Sequence, residues 1–302
     1  MSQSEDTTYL AYYVVCLIDV LGQKQKLAAW PELPVSEGDM SKLMGSMKET
    51  LGTVVTLREM FLSFFQEAAK CINPDLVSAL SEQDRERYER FADCNVGVQW
   101  FSDTFVFFSA IPNQYGDIRV GPLYRILIAA CMAMVVSLAG KVPLRGAITI
   151  GPGVEIDQTF YGPALSEAYH LESEVAKHPR ILVSDEVLAF LRGAQHFSKD
   201  SKVSAATQRL AAASHGYICQ DVDGCWMVDF LGESARELFT KHEKGYEAAR
   251  AARSFVQAEA ERFRETGPSK LALRYHLVQQ YVESRLDNWD LEEDQAGASA
   301  LD

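Results

Sequence analysis

The sequence predicts an α+β fold, a βαββαβ core with helices added to it. Three observations carry this. An apolar run from Tyr12 to Ile18 ends in Asp19 and a glycine turn, Val20-Leu21-Gly22. A second apolar stretch, Val96 to Phe108, is interrupted at Ser102-Asp103, where a tight hairpin fits. Around them stand segments whose apolar residues recur at three- and four-residue spacing, the period of a helix packed on a core.

The elements follow in order. Residues 1–8 read as a loose start and residues 11–18 as the first strand, buried because it is apolar throughout. Gln23-Lys24-Gln25-Lys26-Leu27 leaves the turn, and residues 30–40, with two prolines, form a loop. From Ser41 to about Cys71, Leu43, Met47, Leu51, Val54, Phe61 and Phe65 mark a long helix that Asn73-Pro74 ends. Residues 81–93 are highly charged. Hairpin strands at about 95–101 and 104–110 follow, then a loop between Pro112 and Pro122. An apolar helix at about 122–139 ends at Gly140. Pro143 to Gly151 is a strand that Gly151-Pro152-Gly153 breaks. A helix begins after Phe160-Tyr161-Gly162-Pro163, with proline in its first turn, and buries Ala164, Leu165, Ala168, Leu171 and Val175. Pro179 to Ser184 is a short strand, and Ser184 caps a short helix. Late edge strands at 217–219 and 225–230 flank Asp223-Gly224. Residues 234–286 are helical with a break at Gly267-Pro268.

The order of strand, long helix, hairpin, helix, strand, helix, strand is that of a ferredoxin-like core. Its right-handed connections leave one sheet face free or shared. The expected organisation is a domain over 1–231 with a helical insertion at about 31–94, a helical extension over 232–286, and an acidic, disordered tail over 287–302.

Composition narrows the function. In 302 residues, 29 basic against 42 acidic side chains give a net charge of −13, which argues against a nucleic-acid or anionic membrane surface. A nucleoside triphosphate remains compatible where metal ions screen its phosphates. The six cysteines form no CxxC pair and several lie in apolar runs, the pattern of reduced core residues in a cytoplasmic protein. The opening Met-Ser-Gln-Ser-Glu-Asp is polar, unlike a signal peptide. The most apolar stretch, Ile126 to Ala139, is shorter than the ~20 residues that span a bilayer, so a core helix is expected.

Asp19 and Asp103 carry the chemistry. An ionised Asp leaving a buried strand needs a partner, and a cation is the natural one. In this topology the first strand and the hairpin are neighbours, so the two carboxylates converge as hard oxygen ligands for Mg²⁺ or Mn²⁺. The backbone of Val20, Leu21, Gly22 and Gln23 lies beside them, where N–H groups can cradle phosphate. Read singly, either Asp is also what a turn cap or a solvated hairpin tip looks like.

Five segments together resemble the class III nucleotide cyclases. Cys16-Leu17-Ile18-Asp19-Val20-Leu21-Gly22 resembles their first metal motif, a strand ending in Asp-Ile-x-Gly, and Ser102-Asp103-Thr104 their second, on a hairpin. Arg145-Gly146-Ala147-Ile148-Thr149-Ile150-Gly151 is similar to their Arg-x-Gly-x-x-x-Gly strand. The segment from Phe160 to Glu172 resembles their Trp-Gly-Asp-x-Val-Asn-x-Ala-x-Arg-x-Glu helix, and Ile181 to Ser184 fits the strand after it. The similarity covers about 11–230 and implies a class III cyclase core.

The departures are specific. Ser166 and His170 stand where such cyclases place an Asn and an Arg that hold the ribose and the transition state. Gln99 and Thr159 stand at the purine-reading positions. The chain is thus most similar to the bacterial Pycsar pyrimidine cyclases, which make a 3′,5′-cyclic nucleotide that signals phage infection to a separate effector.

The resemblance implies two divalent cations, Mn²⁺ or Mg²⁺, held by Asp19, Asp103 and the Val20 backbone. It implies in-line attack of the ribose 3′-oxygen on the α-phosphorus of UTP, giving cyclic UMP and pyrophosphate, in a head-to-tail homodimer with sites at the interface. Arg145 reaches phosphate or makes a structural ion pair. Tyr161 stacks on a base or packs beside Gly162. Glu172 closes its helix electrostatically, and Lys24 and Lys26 draw in an anionic substrate or are simply solvated.

Other readings are a cytidylate, adenylate or guanylate cyclase, a different two-metal reaction on the same core, or a non-catalytic nucleotide-binding dimerisation domain. No Gly-Gly-Asp-Glu-Phe motif stands at the hairpin. Loss of the Asn and Arg favours the non-catalytic domain, and retention of both aspartates opposes it.

Overall fold

A computed structural model describes residues 9–23, 28, 36–71, 82, 94–112, 118–196, 202–239, 243–285 and 289. Its centre is β1 (Tyr9–Val20), a strand of β-branched and aromatic residues buried on both faces from Tyr13 to Ile18. Such a strand must be flanked on both edges as well. It pairs antiparallel with β3 (Thr104–Ala110) on one side and with β4 (Leu144–Ile156) on the other, and β2 (Gly97–Phe101) closes the hairpin onto β3. β6 (Ile181–Val183) extends the sheet in parallel with β4, followed by β8 (Trp226–Val228) and β7 (Ile218–Gln220). A short β5 (Thr159–Tyr161) pairs with the far end of β4. The result is a mixed eight-stranded sheet in the order β2-β3-β1-β4-β6-β8-β7, with β5 beside β4.

Among the described residues eight helices surround it: α1 (Glu37–Glu67), α2 (Gly121–Ala139), α3 (Pro163–His170), α4 (Asp185–Gln195), α5 (Lys202–His215), α6 (Glu233–Phe239), α7 (Glu243–Thr266) and α8 (Ser269–Ser284). The alternation of β1 divides them. Val14, Cys16, Ile18 and Val20 face α1, α2 and α7 in the main core, where Phe61 of α1 stacks on Phe107 with centroids 3.8 Å apart. Tyr13, Val15 and Leu17 face the opposite way and pack with Phe108, Phe160, Ala164 and Ala168 under α3. Each such buried aromatic contributes about 1.5–3 kcal/mol. α2 is the one helix among the described residues long and apolar enough to cross a membrane, and 83% of its apolar window is buried inside the protein.

Several expectations shift in detail. The long helix starts at Glu37, where Ser36 caps it through its hydroxyl to the Asp39 N–H. β4 does not break at Gly151-Pro152-Gly153 but runs on to Ile156. Pro152 falls between the segment of β4 paired with β6, which ends at Ile148, and the segment paired with β5, which begins at Val154. A missing N–H costs little there. The helix after Gly162 is α-helical only to His170 and closes as a π-turn, Leu171–Val175. Ser184 precedes α4 with extended dihedrals, but its hydroxyl makes no capping bond.

The helical segment over 232–286 shares the main core through Val256, Val278 and Tyr281, and it does break at Gly267-Pro268. Trp289, placed by sequence in the acidic tail, is buried and donates its indole N–H to the Leu231 carbonyl at 2.7 Å. The charged stretch 83–90 and the expected loop residues 31–35 lie outside the described residues, as do Lys24 and Lys26.

Candidate functional site

Strand register builds the site. Asp19 is the penultimate residue of β1 and stands directly opposite Thr104 of β3 and Arg145 of β4. Directly opposed residues point to one face, so Thr104, Asp19 and Arg145 form a row across three strands, on the face that α3 covers. The Thr104 hydroxyl donates to Asp19 Oδ1 at 2.9 Å and fixes that carboxylate. Asp103 occupies the turn just before Thr104, behind Ser102 at a φ of 57°. The Val20 N–H donates to the Asp103 carbonyl at 3.2 Å, so the hairpin tip is tied to the end of β1. The two aspartates named in the sequence are thus neighbours at one end of the sheet, and the Asp103 charge acts on Asp19.

Charge is concentrated here. Burial raises the Asp19 carboxyl above its usual value; the Thr104 bond opposes this and the Asp103 charge adds to it. Arg145 is engaged on both sides. Its Nε and a terminal nitrogen both reach Glu172 Oε1 at 2.5 Å, and the terminal nitrogen lies 3.7 Å from Asp19 Oδ2. Glu172, in the π-turn after α3, is 4% exposed. Its carboxyl is raised by burial, against the pull of Arg145. Of the two readings of Arg145, the ion pair is the arrangement present. Two carboxylates, Glu172 and Asp19, thus share one guanidinium in ion-pair reach, and the Asp103 charge acts on both of them.

Glu172 and Thr104 are the residues that sequence reasoning missed. Thr104 was legible only as part of Ser102-Asp103-Thr104. Glu172 was read as a helix-end charge, although it lies 27 residues beyond the arginine it holds.

The turn after Asp19 is partly used by the fold. The Leu21 N–H donates to the Pro143 carbonyl at 2.9 Å, and the Val20 N–H is taken by Asp103, so neither points to a ligand. Gly22 has a φ of 87°, and among the described residues nothing lies within 4 Å of where a Cβ would stand. Gln23 is buried, and its Oε1 has no partner among the described residues. It lines a cavity of about 260 Å³ together with Thr50, Trp100 and Asp103.

The remaining candidates lie apart from this cluster. Gln99 is on the Asp19 face, two residues back along β2, and its side-chain oxygen accepts the Phe160 N–H at 3.0 Å. That bond sets Gln99 beside the residue that follows Thr159 and leaves its amide NH₂ as a donor. Thr159 and Tyr161 are exposed on β5, with Tyr161 at 77%. Ser166 and His170, one turn apart on α3, are exposed while Ala164 and Ala168 bury the opposite side. Among the described residues none of these five bonds to the aspartates.

The donor set suits a hard divalent cation. Asp19 and Asp103 offer carboxylate oxygens at adjoining strand ends beside the Val20 carbonyl, and the Asp19 carboxyl is raised first by burial and then by the Asp103 charge, both of which a cation would offset. No cluster of three or more His, Cys, Asp or Glu with ligand geometry occurs among the described residues. A cation here would therefore keep several water or substrate ligands, as Mg²⁺ commonly does. No protein-family model matches the chain, and no curated protein is significantly similar to it.

Proposed function

We propose that the protein is a nucleotide cyclase of the class III type that converts UTP to 3′,5′-cyclic UMP and pyrophosphate. One observation carries the reading: Asp19 and the hairpin residue Asp103 converge at the ends of β1 and β2–β3. The antiparallel order β2-β3-β1-β4 with α1 and α2 between the strands supports a ferredoxin-like βαββαβ core, the scaffold on which such cyclases are built.

Asp19, Asp103 and the Val20 carbonyl would hold the divalent cations. When bound, these supply activation of the ribose 3′-hydroxyl and neutralisation of the leaving phosphates. The protein's own residues do the positioning. Thr104 holds the Asp19 rotamer, and Glu172 keeps Arg145 from closing fully on Asp19. Gln99, Thr159 and Tyr161 present donors and an aromatic face for a pyrimidine. In the reaction the 3′-oxygen bonds to the α-phosphorus and the α,β-bridging P–O bond breaks. Pyrophosphate leaves with that electron pair, and the hydroxyl proton passes to solvent.

The reading includes a cytoplasmic head-to-tail homodimer whose α3 residues Ser166 and His170 complete the partner's site, and a separate cyclic-nucleotide-activated effector in anti-phage signalling. A second reading has its own observation. Arg145 is committed to Glu172, and Ser166 and His170 replace the usual Asn and Arg, as in a domain that binds nucleotide without turning it over.

Mn²⁺-dependent release of pyrophosphate from UTP decides between them. Wild-type protein is expected to release it, and Asp103→Ala to lose about 10³-fold or more. Nucleotide binding without release in the wild type would favour the second reading.

A further inference from the structure

A cavity of about 630 Å³ lies between the turn that leaves β1 and the hairpin of α7 and α8. One wall is the Leu21-Gly22 turn with Lys141; the opposite wall carries Arg262 on α7 and Arg274 on α8. Three cations here meet one carboxylate, Glu259, which already bonds Arg262. Neither Lys141 nor Arg274 has an ion-pair partner among the described residues. Burial and the charge of Arg145 hold the Arg274 guanidinium below the usual arginine value. Arg274 is half-buried and Lys141 exposed on the facing wall, and an anion between them would be attracted by both charges.

The backbone agrees with an anion. At Gly22, with its positive φ, nothing among the described residues lies within 4 Å of a Cβ position, which leaves room there for a ligand oxygen to come up against the main chain. Gln23 lines both this cavity and the smaller one beside Asp103, so the cationic cleft and the carboxylate pair adjoin.

We propose that this cleft holds the terminal phosphates of a nucleoside triphosphate, with Arg274 and Lys141 as their cationic ligands. The inference rests on the cyclase reading for the identity of the substrate. It makes the α7–α8 hairpin one wall of the substrate site. A guanidinium grips phosphate oxygens bidentately and a lysine adds a point charge.

Calorimetric titration of the full chain with inorganic pyrophosphate, in chelator at low salt, reads the cleft without turnover. Saturable binding is expected that Arg274→Gln weakens about tenfold, that Arg274→Lys restores only in part because it supplies the charge without the bidentate fork, and that added salt weakens. Absence of binding to the wild type overturns the proposal, as does unchanged binding by an Arg274→Gln protein that melts like the wild type. Should Arg274→Gln fail to fold, Lys141→Gln, at an exposed turn, faces the same two outcomes. Turnover separates the two readings. Arg274-dependent pyrophosphate binding in a protein that cyclises no nucleotide keeps the cleft and sinks the cyclase. Cyclisation with unaltered KM and unaltered pyrophosphate binding in Arg274→Gln sinks the cleft alone.

Discussion

Asp19 is held by three neighbours that pull in different directions: a Thr104 hydroxyl, a second carboxylate and an arginine already claimed by Glu172. Neutralising Glu172 tests that balance. In Glu172→Gln, Arg145 loses its charged partner and turns to Asp19, where it competes with a cation. Mn²⁺ affinity is expected to fall 10- to 100-fold, roughly the cost of losing an outer-shell partner of a ligand, with Tm also lowered. Unchanged Mn²⁺ affinity would contradict this role. Both aspartates were legible in the sequence because a carboxylate that interrupts an apolar strand leaves a local mark. The Glu172–Arg145 pair was not, because it depends on where a π-turn brings a residue 27 positions away. The exposed candidates Ser166 and His170 were legible as positions in a motif, and their surroundings add no chemistry of their own.

Two polar networks fix elements that have little apolar area. The first joins β6 to the turn between β7 and β8. Arg180, 1% exposed, bonds Asp221 at 2.5 Å and Asp223 at 2.6 and 2.9 Å, and His178 reaches Asp221 at 3.0 Å. Burial disfavours the Asp221 carboxylate, but bonds from His178, the Val222 N–H and Arg180 outweigh it and lower its pKa. The Arg180 bonds hold Asp223 low as well. Carboxyls depressed in the folded state stabilise it above the unfolded value of about 3.9 and lose that stabilisation as pH falls below it. Asp221→Asn leaves Arg180 short of a buried partner and is expected to cost about 3 kcal/mol at pH 7. Its melting temperature should also fall less steeply than the wild type's below about pH 4. An acid profile parallel to the wild type's would contradict the linkage.

The second network docks the C-terminal helices. The Tyr281 hydroxyl donates to Asp229 Oδ1 at 2.8 Å and accepts the Leu231 N–H at 2.9 Å, and Arg285 pairs with Asp229. Tyr281→Phe orphans a buried N–H and is expected to cost about 1–3 kcal/mol in denaturant unfolding. α8 itself was read as helix after the break at Gly267-Pro268. Trp289 was not, because one aromatic in an acidic stretch makes no periodic pattern. β5 and the passage of β4 through Gly151-Pro152-Gly153 were missed because three residues carry too little signal. A proline inside a strand is allowed only by gaps in the pairing of its neighbours.

At the scale of the molecule, the two sheet faces are unequal. One is buried under α1, α2 and α7. The other, which carries Asp19, has α3 over part of it and leaves Phe101 83% exposed at the hairpin. The order of elements made the central strands legible from sequence, whereas the parallel addition of β6 and the edge pair β7–β8 depends on pairings between distant segments.

The proposed head-to-tail dimer joins the carboxylates of one copy to α3 of the other. Asp103→Ala and the double variant Ser166→Ala/His170→Ala should then each be inactive alone. Mixed in equal amounts they should recover about a quarter of wild-type turnover, since half the dimers would carry one intact site of two. No recovery on subunit exchange would place each site within a single copy.

The identity of the product tests the central claim most directly. Purified protein is incubated with ATP, GTP, CTP and UTP separately in Mn²⁺, and the products are identified by mass with Asp103→Ala alongside. The expected result is 3′,5′-cyclic UMP from UTP, absent in the variant. Cyclic AMP or GMP would keep the carboxylate pair and contradict the pyrimidine assignment. Absence of a cyclic nucleotide from all four would contradict the assignment of Asp19 and Asp103 as a cyclase centre.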